Sequence, residues 1–218
     1  MVKRRNLSSS SRWLKEYSDD KYISEAKRKG YRSRSVFKIK EIQRKDKIFK
    51  PGMRVVDLGA SPGGWSQYVV EIIGESGYIF SCDILPMNPI NGVKFLQLQE
   101  KCQSDFLLNR LDEECRPDLV DVILSDMSPS ITGNSFIDQP RAISLAELAL
   151  DACSRVLKFN GSFVVKVFQG KDSDRYIKQV RGSFNVTKVR KPDASRARSK
   201  EIYVVAKGYK RKCALRVS

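Results

Sequence analysis

The run Val55-Val56-Asp57-Leu58-Gly59-Ala60-Ser61-Pro62-Gly63-Gly64-Trp65 joins an acid at the end of an apolar stretch to a proline and three glycines. It reads as a buried strand, a tight turn and the start of a helix. In open parallel α/β sheets the ligand crevice lies just beyond the carboxyl ends of the strands, so a cofactor site is expected near residue 60. Gly-Pro-Gly clusters also build ordinary loops, and the turn by itself does not separate the two readings. A second acid, Asp83, ends the apolar run Phe80-Ser81-Cys82-Asp83 and could accept hydrogen bonds from the ribose hydroxyls of an adenosine-bearing cofactor. Asp126 closes a third apolar run. Lys166 stands inside Val164-Val165-Lys166-Val167-Phe168, where an unpaired ammonium is costly to bury, so it is hard to explain as filler. The chain has no histidine. Acid–base chemistry must then use carboxylates, Lys, Tyr or Cys, and most zinc enzymology is excluded.

The glycine spacing narrows the cofactor. Glycines at 59, 63 and 64 do not fit the dinucleotide G-x-G-x-x-G pattern, and no Gly-Lys-Ser/Thr follows as in a phosphate-cradling loop. With Asp83 in the next strand, the turn favours S-adenosylmethionine.

The elements that must hold these residues follow from periodicity. Strands are predicted at 54–58, 78–83, 93–98, 121–125 and 162–168, with two more near 185–189 and 201–206. Helices are predicted at 33–44, 64–73, 104–113, 141–157 and 174–181. Strand and helix alternate, which implies a parallel sheet with helices on both faces. The last two strands are joined by a loop without a crossover, which implies one antiparallel strand. The expected fold is one α/β doubly wound domain with basic extensions. Residues 1–30 read as a mobile or weakly helical basic arm, 31–208 as the domain and 209–218 as a basic tail.

Composition bounds the partners. The chain carries a formal charge of +16. Residues 1–50 hold 17 Lys+Arg against 6 Asp+Glu, residues 51–150 hold 6 against 14, and residues 151–218 hold 18 against 5. Basic ends around an acidic middle suit a polyanion laid along the termini. Five scattered cysteines (Cys82, Cys102, Cys115, Cys153 and Cys213) without a Cys-x-x-Cys pair suggest reduced thiols, not a disulfide framework or a zinc site. No signal-peptide core follows the basic start and no apolar run would span a bilayer. A cytoplasmic protein with no membrane association and no bound metal is expected.

Four separated stretches carry a family resemblance. Residues Asp57 to Gln67, Ser125-Asp126-Met127-Ser128-Pro129, Phe163 to Gly170 and Arg190 to Ser199 closely resemble, in the right order, the motifs of the FtsJ-type RNA 2′-O-methyltransferases. The resemblance runs from about Tyr31 to Gly208 and looks closest to the bacterial members acting on large-subunit ribosomal RNA. It implies a seven-stranded Rossmann-like methyltransferase sheet, S-adenosylmethionine as methyl donor, and a uridine of 23S ribosomal RNA as target, presented within the large subunit to a monomeric enzyme. The family's Lys-Asp-Lys-Glu tetrad falls on Lys38, Asp126, Lys166 and Glu201, with Lys166 as proton acceptor or electrostatic orienter. Cofactor contacts carry over to Gly63, Trp65, Asp83 and Asp126. One departure stands out. Where the bacterial members show Gly-Asp after the third strand, this chain reads Leu98-Gln99-Glu100, so the adenine contact falls to Gln99, with Glu100 or Asp105 as substitutes. RNA contact is assigned to Arg4, Arg5, Arg12, Lys27, Arg28, Arg32 and Arg34 and to Arg190, Lys191, Arg196, Arg198 and Lys200, with Tyr31 and Phe37 as candidate stacking residues. Rival readings are the same chemistry on transfer RNA or a messenger cap, and a non-catalytic RNA-binding assembly factor.

Overall fold

The computed structural model describes residues 20–99, 104–196 and 198–210. Arg4, Arg5, Arg12, Glu100, Cys102, Cys213 and residues 211–218 of the basic tail lie outside them.

Seven strands form one sheet: β1 (Arg54–Leu58), β2 (Tyr78–Asp83), β3 (Val93–Gln97), β4 (Val120–Ser125), β5 (Leu157–Phe168), β6 (Phe184–Arg190) and β7 (Glu201–Tyr209). Their spatial order is β3-β2-β1-β4-β5-β7-β6. All neighbours pair parallel except β7, which runs antiparallel to both β5 and β6. The central strands are near-continuous apolar runs because helices cover both faces. This is the expected seven-stranded, mostly parallel Rossmann-like sheet with one reversed strand.

Among the described residues, six helices pack around it: α1 (Lys21–Arg28), α2 (Val36–Asp46), α3 (Gly64–Ile73), α4 (Ser104–Cys115), α5 (Ser135–Val156) and α6 (Ser173–Ser183). The core divides by strand parity, since successive side chains point to opposite faces. Val56, Leu58, Ile123, Phe163, Val165 and Val204 pack with Leu111, Ala149 and Tyr176 on the side of α4, α5 and α6. Val55, Ile79, Leu124, Val164, Tyr203 and Val205 pack with Ile39, Trp65 and Val69 on the side of α2 and α3.

Residues 20–30 fold against the domain. Asp20 caps α1, accepting from the Tyr22 amide at 3.0 Å, and its carboxylate pairs with Arg34 at 3.0 Å. Tyr22 packs on Phe37, their ring centroids 5.4 Å apart. Two other boundaries shift from the periodicity reading. Helix α5 begins at Ser135, not Arg141, because Asn134 caps it and the helix accommodates Pro140. Strand β5 begins at Leu157, not Ser162, passing Asn160 in the left-handed region (φ 63) and an irregular register against β4. Among the described residues no helix is long and apolar enough to cross a membrane.

Candidate active site

The same parity that builds the α2/α3 core delivers the polar residues. Asp57 follows Val55, Asp83 follows Ile79 and Ser81, Asp126 follows Leu124, Lys166 follows Val164, and Glu201 precedes Tyr203, each at spacings of two residues. All therefore face α2 and α3, and all stand at the carboxyl ends of the parallel strands. Glu201 reaches that edge only because β7 is reversed, which sets its first residue opposite Phe168, the last of β5.

The four tetrad positions come together as two pairs joined by a tyrosine. Lys166 donates from Nζ to the Asp126 carbonyl at 2.6 Å and lies 3.2 Å from Asp126 Oδ1. Lys38, supplied by α2, pairs with Glu201 at 2.7 Å. Tyr203 Oη accepts from Lys38 Nζ at 3.2 Å and donates to Asp126 Oδ1 at 2.9 Å. Burial, reinforced by the Asp126 and Glu201 charges, pushes the Tyr203 phenol well above its ordinary value, so Tyr203 is a standing donor. Sequence reasoning missed Tyr203; its signal was the spacing of two from Glu201, which puts both on one face of one strand.

The turn after β1 is held from several sides. The Asp83 carboxylate accepts from the Ser61 amide at 2.8 Å and the Leu85 amide at 2.9 Å. Asp57 is fully buried, accepts from Ser66 Oγ at 2.6 Å, and leaves Oδ1 without a partner. Burial, with smaller contributions from the Asp126 and Asp83 charges, pushes its carboxyl up to about 7. Gly59 adopts φ +76, and a Cβ there would meet the Met127 backbone at 2.8 Å. Gly63, at φ +107, is covered by Ile90 and Met87 of the segment after β2. Trp65 is 2% exposed. Its indole N–H donates to the Ser35 carbonyl at 2.9 Å and its ring packs 5.7 Å from that of Tyr203, so the structure places it as a buttress between α2 and the tetrad. Gln99 is exposed just beyond the end of β3, and Asp105 is exposed in the first turn of α4.

The basic residues divide into two groups. Arg32 is occupied internally, its guanidinium donating to the carbonyls of Pro62, Asn88 and Pro89. Arg190 clamps Asp46 with two bonds of 2.8 and 2.6 Å, which holds the Asp46 carboxyl below its ordinary value, and so ties α2 to β6. Both were expected at the RNA surface; internal pairing places them in the framework instead. Tyr31 and Phe37 pack on each other edge to face at 6.1 Å, and Lys40 donates to Tyr31 Oη at 2.8 Å. Arg34, Arg196 and Arg198 form the second group, which gathers at one cleft although Arg34 is itself held by Asp20 and the Ala194 carbonyl. With Lys38, Ser199 and Glu201 they line an open cleft of about 470 Å³ beside the tetrad. Arg34 Nε is buried there without a partner.

Residues 31–209 match the FtsJ-like methyltransferase family, and the chain belongs to that family. Among solved structures it is similar to a Plasmodium falciparum protein provisionally named a ribosomal RNA methyltransferase, at 26% identity and a TM-score of 0.72, over 84% of this chain and 100% of that one. A Clostridium thermocellum protein provisionally named an rRNA-methylase shares the fold at 16% identity and a TM-score of 0.52, over 77% and 95% of the two chains. The sheet order and the polar edge described above are thus those of a methyltransferase.

Proposed function

We propose that the protein methylates the 2′-hydroxyl of a uridine in 23S ribosomal RNA, using S-adenosylmethionine, as a cytoplasmic monomer acting on the large ribosomal subunit. The observation that carries the reading is the joining of Lys38, Asp126, Lys166 and Glu201 through Tyr203 at the mouth of a cleft lined by three arginines. Family membership supplies methyl transfer, and the designation of the Plasmodium falciparum neighbour supports ribosomal RNA as the substrate class.

The residues at the turn fit the cofactor. Each Asp83 oxygen accepts one backbone N–H and keeps a lone pair for a ribose hydroxyl. The Ser61 amide sets the turn backbone beside Asp83, and Asp126 presents a carboxylate toward the reacting end. Gly63 and Asp83 would hold the nucleoside, Gln99 the adenine through its amide oxygen, and Asp126 the amino-acid end, with Trp65 fixing the helix behind the turn. When bound, S-adenosylmethionine supplies an electrophilic methyl group on a cationic sulfur.

The chain's own residues then act on the alcohol. Lys166 has three N–H donors; the Asp126 carbonyl and carboxylate engage two, which leaves one for the substrate's 2′ oxygen. Held there, the oxygen is positioned for in-line displacement, and orientation of this kind supplies a large part of such accelerations. Lys166 stabilises the negative charge that develops on the oxygen as the hydroxyl passes its proton to solvent in the open cleft. Asp126 fixes Lys166, and the Lys38–Glu201 pair fixes Asp126 through Tyr203. Arg196 and Arg198 bind flanking phosphates, which positions the strand without reading sequence, and Arg34, held by Asp20 and the Ala194 carbonyl, adds its charge beside them.

The test is methyl transfer from labelled cofactor to large subunits lacking ribose methylation, to naked ribosomal RNA and to bulk transfer RNA, with the label mapped to ribose or base. Ribose label on the subunits is expected. Lys166→Ala should lower the rate by roughly 10²–10⁴-fold and leave the cofactor dissociation constant within a few-fold. Near-normal turnover in that variant would refute the assignment. Label confined to transfer RNA would overturn the substrate, and RNA binding without any label would favour an assembly factor.

A further inference from the structure

Three apolar side chains close in sequence, Ile131, Phe136 and Ile137, are exposed, Phe136 at 89% and Ile131 at 62%. Scattered surface apolars are ordinary, but these rest on a built support. The Asp138 carboxylate accepts from the Thr132 amide and hydroxyl and from the Gly133 amide, at 2.9, 2.8 and 3.0 Å. Asn134 caps the Phe136 amide at 3.0 Å. With its amide oxygen toward the loop after β5, Gln139 accepts from the Gly170 and Lys171 amides at 3.1 and 3.0 Å. Phe136 therefore stands where the loops that follow the Asp126 and Lys166 strands are pinned to each other.

Charge selects the occupant. Exposed Lys171 and Arg141 adjoin that junction in sequence, beside Asp138 and Asp172, and the arginine cleft opens at the same end of the sheet. A rigid aromatic beside cations suits an unpaired nucleobase, because every base offers a face to stack and its phosphates meet the cations. We infer that Phe136 is a stacking platform for an unpaired RNA base near the methylated ribose, with Ile131 and Ile137 as its apolar rim. The inference rests on the RNA substrate proposed above.

Two measurements test it. In the first, Phe136→Ala, Phe136→Tyr and Phe136→Leu are compared in methyl transfer to naked ribosomal RNA. Loss of one base stack should raise the KM for RNA about 5- to 150-fold in Phe136→Ala, with the cofactor dissociation constant and thermal midpoint unchanged. Tyr should restore the parent value and Leu should not. In the second, the added emission of Phe136→Trp should be quenched by a single-stranded oligouridylate and not by an RNA duplex. An unchanged KM in Phe136→Ala overturns the platform. Rescue by Leu as complete as by Tyr also overturns it, in favour of an apolar protein contact. If the parent protein transfers no methyl to RNA, the proposed function fails, and the quenching experiment still decides the platform: quenching by the single strand sustains it and its absence removes it.

Discussion

At the scale of single residues the site depends on Tyr203. Its hydroxyl bonds both ion pairs, accepting from Lys38 and donating to Asp126. Hydrogen bonds to charged partners contribute about 1.5–3 kcal/mol, so Tyr203→Phe should lower kcat by roughly 10- to 100-fold while the KM for RNA stays near the parent value. An unchanged kcat would leave Tyr203 with packing alone. Asp57 makes a different prediction. Burial pushes its carboxyl up to about 7, above the value of an unfolded chain, so the folded state binds its proton more tightly. The cost of the buried charge is then absent below about pH 4, grows as pH rises toward 7, and is complete above that. Asp57→Asn, which keeps an acceptor for Ser66, should gain thermal stability relative to the parent as pH is raised across that window. A midpoint difference that is flat from pH 4 to 8 would count against it.

At the scale of elements, the turn after β1 shows why local signals were legible. Strand β1 and helix α3 match the periodicity reading at both ends, because Pro51-Gly52 and the glycines at 59, 63 and 64 set hard boundaries. Gly59 is confined to glycine by its positive φ and by the Met127 backbone. Gly59→Ala should cost ~2 kcal/mol or more and weaken the cofactor together with the fold, measured as paired losses in thermal midpoint and calorimetric affinity; loss of neither would contradict the packing. Elsewhere, tertiary contacts overrode local rules. The helix predicted from Arg141 begins six residues further back, at Ser135, where the Asn134 cap and the Asp138 bonds to Thr132 and Gly133 hold its first turn. The strand predicted from Ser162 begins at Leu157 and runs through Asn160-Gly161, because Leu157 pairs with Val120.

At the scale of the whole molecule, charge and fold jointly select the partner. Phosphate contacts release counterions, so RNA affinity should fall steeply with salt. Arg196→Ala should weaken binding across sequences and reduce the slope of log affinity against log salt by about 1. An unaltered slope would remove Arg196 from the phosphate contacts. Composition counts cations without saying which already hold an internal partner, as Arg32, Arg34 and Arg190 do. Arg32 spends its donors on three carbonyls and Arg190 on Asp46.

The strand and helix alternation, the glycine turn and the reversed last strand were legible in the sequence, since each rests on local spacing or a contiguous motif, and the four tetrad positions came from the family resemblance. Only the tertiary structure decided how those four residues meet. Pairing of β7 antiparallel to β5 brings Glu201 to the carboxyl edge, and the packing of α2 brings Lys38 to it. The placement of Tyr203 between them, of Trp65 behind them, and of Phe136 in the open arises from contacts between segments far apart in the chain, which no local pattern encodes.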